Sequence, residues 1–188
     1  MLLQYLLFSL VILGNLVLGG IVLARKYNRA SGWLFGVAIL SISLWTIGDM
    51  LLLGSNTQNV AETGAYLFYM APLTIPVTLW LFSLIFPEER KLPILPTLLG
   101  FGSFAVLASI IFANLHWLIS DIDVSITPNI STPATPGFYV YTAFLTFYFV
   151  LTYVTLLNKA IRVRGEEKLQ VTYVMLGALL ASAPALLT

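Results

Sequence analysis

The chain has 188 residues, of which 59% are hydrophobic and 9% charged, with a net charge of +1. A soluble domain carries about 25% charged residues, so a soluble globular domain is excluded as the default, and so is a disordered chain. Nine scattered cations build no nucleic-acid groove, zero Cys removes disulfide and thiolate chemistry, and one His leaves little means for a metal site.

A transmembrane helix needs about 20 mostly apolar residues to cross the hydrocarbon core. Six stretches satisfy this: 2–24, 32–53, 64–86, 92–115, 138–157 and 169–187. The expected fold is all-α, a polytopic membrane helix bundle forming a single transmembrane domain over 1–188. The first stretch is too long for a signal-peptide core and has no basic residue before it, so it reads as a retained span.

The second span carries Trp45 and Asp49. An ionisable side chain inside a span is a functional candidate whose partner has to be named. Tyr66, Tyr69 and His116 are the available partners for Asp49; the plainer account is that Asp49 lies about one turn from the outer interface and reaches water. The third span holds Tyr69, Pro72, Pro76 and Trp80. Each proline removes a backbone donor and clashes one turn back, which predicts a kink or an unwound turn. Such breaks line cavities or act as pivots, and they also occur in ordinary membrane helices. Trp33 and Trp117 fall at span ends, where an aromatic belt is expected; Trp45 and Trp80 lie deeper and suit packing or a pocket. Tyr139, Tyr141, Tyr148 and Tyr153 run along the fifth span, mostly as belt and core. Gly32-x-x-x-Gly36 and Gly177-x-x-x-Ala181 allow close helix approach, within one copy or between two.

The connections sort by charge. Arg25, Lys26 and Arg29 follow the first span, Arg90 and Lys91 the third, and Lys159, Arg162, Arg164 and Lys168 the fifth. Connections 54–63 and 116–137 hold none. The positive-inside rule puts the N-terminus outside and the odd-numbered connections in the cytoplasm. The basic connections are too short for a catalytic domain and read as solvated headgroup anchors. Glu166 and Glu167 suit the first turn of the sixth helix. Connection 116–137, with Pro128, Pro133 and Pro136, reads as an extended, proline-stiffened surface loop. Asp121 and Asp123 within it are too few for calcium, which takes six to eight oxygens.

Chemistry is scarce. No span carries Lys, no metalloprotease, nucleophile-elbow or phosphate-loop sequence occurs, and the spans hold no paired carboxylates. No catalytic residue, metal or cofactor is assigned, and the chain is not expected to be an enzyme.

Asn15, the basic turn Ala24-Arg25-Lys26-Tyr27-Asn28-Arg29, and Ser43-Leu44-Trp45-Thr46-Ile47-Gly48 together form a pattern. So do Pro72, Pro76 and the closing Leu81-Phe82-Ser83-Leu84-Ile85-Phe86-Pro87 of the third span. The whole resembles the N-terminal seven-transmembrane sensory region of bacterial membrane histidine kinases, mainly over 2–92. The resemblance implies a sensor or receptor module of two-component signal transduction in the bacterial inner membrane. It also implies a seventh helix and a cytoplasmic output domain, neither of which lies between Met1 and Thr188. The expected partners are the lipid bilayer, a small-molecule ligand, a second copy of the chain, and an output domain or kinase in cis or in trans. Ligand-binding or switch candidates are Asp49, Trp45, Tyr69, Pro72, Pro76 and Trp80. The alternative is a small six-span transporter or permease component, against which the scarcity of buried charge and the lack of visible inverted repeats both weigh.

Overall fold

The computed structural model describes residues 2–26, 29–88, 91–119, 121–123, 129–131 and 135–187. Six helices account for nearly all of them: α1 (Leu2–Lys26), α2 (Ala30–Gly54), α3 (Gln58–Ile85), α4 (Ile94–Ala113), α5 (Pro136–Arg162) and α6 (Gly165–Leu187). Among the described residues, α1 to α5 are each long and apolar enough to cross a membrane. The sixth expected span is helical throughout, with its side chains described as far as Gly177. The protein is a polytopic helical membrane protein.

Helix ends differ from the hydropathy bounds for local reasons. The third helix begins at Gln58 because polar residues continue it beyond the apolar run, with Gln58 Nε2 donating to Glu62 Oε1 at 2.9 Å, one turn on. The fourth is shorter at both ends, since Pro93 takes extended backbone before it and Asn114 leaves helical geometry after it. The fifth starts at Pro136, whose missing N–H costs nothing at a first helical position. Its cap, Thr135, accepts from Phe138 N at 3.1 Å and donates to Leu118 O at 2.9 Å. The sixth starts at Gly165, at φ +62°, followed by Glu166 and Glu167 in its first turn as expected.

The extended loop expected over 116–137 needs correction. Leu115–Trp117 forms a 3-10 turn, and β1 (Asp121–Asp123) pairs antiparallel with β2 (Asn129–Ser131), Ile122 opposite Ile130. Alternation of polar and branched residues in both segments suits a ladder that uses up backbone groups otherwise left to water. Pro128 and Pro133 lie outside the described residues.

Helix α3 is the centre of the bundle: 67% of its most apolar stretch is buried, against 6% for that of α1. Helix α2 lies between α1 and α3. Its α1 face is set by Gly19 against Ile39 and Gly36 against Leu23; its α3 face is set by Gly48 and Gly64. A Cβ on Gly48 would lie 2.6 Å from Phe68 N, and one on Gly64 would lie 2.9 Å from Leu52 N, so these two backbones touch directly. In lipid, where no hydrophobic drive joins helices, such close packing supplies much of the association. On its other flank α3 packs on α4 and α5 around Leu73, Leu107, Ile111 and Tyr141, and around Val77, Leu81 and Tyr148.

Hydroxyls inside the bilayer bond back to their own helices: Ser43 to Ile39 O at 3.2 Å, Thr78 to Thr74 O at 2.8 Å and Thr152 to Tyr148 O at 2.8 Å. With no water at that depth, this is the cheapest way to satisfy them.

Candidate functional site

Helix α3 remains helical through both prolines, so of the kink or unwound turn expected there the unwound turn does not form. The prolines still leave a mark. Lacking N–H groups, Pro72 and Pro76 deprive the carbonyls of Phe68 and Pro72, four residues back, of their helical donors. Both prolines are buried among neighbouring helices, which hold the segment in place.

Around this weakened segment the aromatic candidates fall into two groups. Towards one end, Trp45 of α2 tilts against Phe68 with centroids 6.0 Å apart. Phe68 meets Tyr69 edge-on at 5.1 Å, and Tyr69 meets Tyr141 of α5 edge-on at 5.7 Å. These geometries suit the ring quadrupoles and join α2, α3 and α5. The Trp45 indole N–H is buried with no hydrogen-bond partner among the described residues. Such an orphan donor in a dry interior is costly.

Further along α3, Trp80 lies 5.4 Å from the Tyr148 ring. The Tyr148 hydroxyl is 2.7 Å from Ser103 Oγ and donates to Leu99 O at 3.3 Å, tying α5 to α4. Gly100 makes room: a Cβ there would lie 3.1 Å from Val77 Cγ1.

Asp49 is half-buried on α2, one turn beyond Trp45 and next to the Gly48 contact. It makes none of the three pairings expected of it. Tyr66 donates instead to Phe112 O at 3.5 Å, Tyr69 faces Tyr141, and His116 is exposed. Asp49 has no hydrogen-bond or ion-pair partner among the described residues.

Thus Trp45 and Tyr69 are linked through Phe68, Asp49 stands one helical turn away, and Trp80 belongs to a separate cluster with Tyr148. No group of three or more metal-ligating side chains occurs among the described residues. Trp33 is 57% exposed, as a belt residue should be. Trp117 is half-buried against Gly137 at the start of α5.

One residue placed with the headgroup anchors is a structural tie. Lys159 of α5 is half-buried, and its Nζ donates to Leu84 O at 2.9 Å and Phe86 O at 2.5 Å. These are terminal carbonyls of α3, where a cation also meets the negative end of the helix dipole. The signal for it lay in a stripe along α5, where Tyr141, Tyr148, Leu156 and Lys159 recur at helical spacing.

The described residues form a bundle of apolar membrane helices around a central helix that carries two prolines. The comparison with protein families agrees: the family described as the N-terminal 7TM region of histidine kinase matches residues 6–188. The chain belongs to that family. No curated protein and no solved structure matches it.

Proposed function

We propose that this chain is the sensory module of a bacterial inner-membrane signalling protein, with its N-terminus outside. It detects a ligand or a state of the membrane and relays the result to a cytoplasmic histidine-kinase-type output, in cis or in trans. The family match over 6–188 carries this reading. The input must bind two arrangements of the helices differently, because a ligand of equal affinity for both shifts nothing. Helix α3 is the moving element, and Asp49, Trp45, Tyr69, Pro72, Pro76 and Trp80 are the residues that sense or transmit. Asp49 and the Trp45 N–H, without partners among the described residues, support a polar contact made in one state. The lost hydrogen bonds at Pro72 and Pro76 support a pivot between the two aromatic groups.

The test is crosslinking in the native membrane followed by mass spectrometry of what is joined to the chain. A histidine kinase domain, in the same polypeptide or in a partner, is the expected product. Recovery of no kinase, together with substrate flux by purified protein in liposomes, would replace the sensor with the transporter.

A further inference from the structure

A cleft of about 260 Å³ opens between α1, α2 and the end of α3, away from the two aromatic groups. Ile21 and Val22 form one wall, Ser31 and Phe35 the second, Phe82 and Phe86 the third. The lining is almost wholly apolar. Its volume falls just under the ~300 Å³ at which drug-sized ligand pockets begin, which suits a length of hydrocarbon chain. Ile21 is 48% exposed, so the cleft opens sideways to the bilayer.

Its position in the sequence decides what kind of chain. The cleft lies at the end of the bundle to which the sequence assigns all nine cations. Arg25 and Lys26 follow Ile21 and Val22 by one helical turn, and Arg29 precedes Ser31 by two residues. Each cation near such a surface attracts anionic headgroups.

We propose that this cleft is a binding site for an anionic phospholipid, with one acyl chain between Ile21 and Phe86 and the headgroup drawn to Arg29, which is exposed where α2 begins. The site goes beyond the sensor reading and needs only the bilayer location. Its third wall is also a tie point. Phe86 stacks on Phe82 with centroids 4.8 Å apart, and its carbonyl is one of the two that Lys159 holds. An acyl chain seated here therefore bears on the joint between α3 and α5.

The probe is phosphatidylglycerol with a photoreactive acyl chain, compared in nanodiscs with phosphatidylcholine of identical chains. Labelled residues are mapped by mass spectrometry. Phosphatidylglycerol should label the cleft walls several-fold over phosphatidylcholine, and Ile21→Trp, which fills the mouth, should abolish that label. Leu13→Trp adds the same bulk to an exposed position elsewhere on α1 and should leave it unchanged. Arg29→Gln should lower the preference for the anionic lipid about fivefold. Equal labelling by the two lipids, or labelling indifferent to Ile21→Trp, would overturn the site and leave ordinary annular lipid. Neither result bears on whether a kinase is crosslinked to the chain, so this proposal and the sensor reading fail separately.

Discussion

Lys159 closes the end of a helix other than its own: from α5 its Nζ donates to Phe86 O, the carbonyl at the end of α3. The pairing joins residues 73 positions apart and sets the separation of two helices at the basic end of the bundle. Replacing Lys159 with Met keeps the aliphatic stem and removes the donors. The expected loss is about 1.5–3 kcal/mol, the range for a hydrogen bond to a charged group. Thermal unfolding in detergent checks it, and Lys159→Arg should recover part of the loss. A midpoint unchanged in Lys159→Met would show that the tie contributes nothing.

Gly48 and Gly14 make an opposed pair. Gly48→Ala places a methyl against Phe68 N and should cost roughly 1–3 kcal/mol by overpacking. Gly14→Ala meets nothing within 4 Å and should stabilise α1 by about 0.5–1 kcal/mol through helix propensity alone. Unfolding curves for the two variants should shift in opposite directions.

The Tyr148 hydroxyl links α5 to α4 through Ser103 and Leu99. Tyr148→Phe should lower stability by about 0.6 kcal/mol, the average for an interhelical hydrogen bond in a membrane protein. Tyr139, 63% exposed on the same helix, is the control, and its Phe variant should match the parent.

Asp49 combines partial burial with no partner among the described residues, so its charge is a cost to the resting fold. Asp49→Asn should hold or raise the thermal midpoint and, on the sensor reading proposed above, change signalling output in native membranes. A variant that is destabilised and signals normally would remove Asp49 from the sensing set.

The native chain has no cysteine, so single cysteines report orientation without background. Asn56→Cys and Arg164→Cys fall at exposed positions in connections of opposite charge character. In intact cells an impermeant maleimide should label position 56 and spare 164 until the membrane is opened. The reverse pattern would invert the topology.

The helices were legible in the sequence because the bilayer imposes a length and an apolar composition that few other constraints can mimic. The acidic first turn of α6 was legible for an equally local reason, the helix dipole. What escaped depends on partners. Hydropathy treats Lys159 as a mark of where a span ends, and only the position of α3 reveals that its ammonium turns inward. Gly48 and Gly64 become a contact once the register of α2 on α3 is known, although Ala61-x-x-x-Ala65 beside Gly64 already hinted at a small-residue face. The pairing of Asp121–Asp123 with Asn129–Ser131 was hidden by the prolines around it, which suggested a loop throughout. Among the site candidates, Trp45 and Tyr69 met through Phe68, a residue passed over because a lone Phe in an apolar span carries no distinguishing chemistry.

The Gly48–Gly64 contact divides the bundle mechanically. Where two backbones touch without side chains between them, any residue larger than glycine forces α2 and the first half of α3 apart, so the two are held at close range there. The seam between α3 and α5 is made of tilted rings and a lysine reaching across, which can shear by changing rotamers. A displacement of α3 that keeps this contact carries Asp49 and Trp45 with it, and the slip then falls on the side of Tyr141, Tyr148 and Lys159.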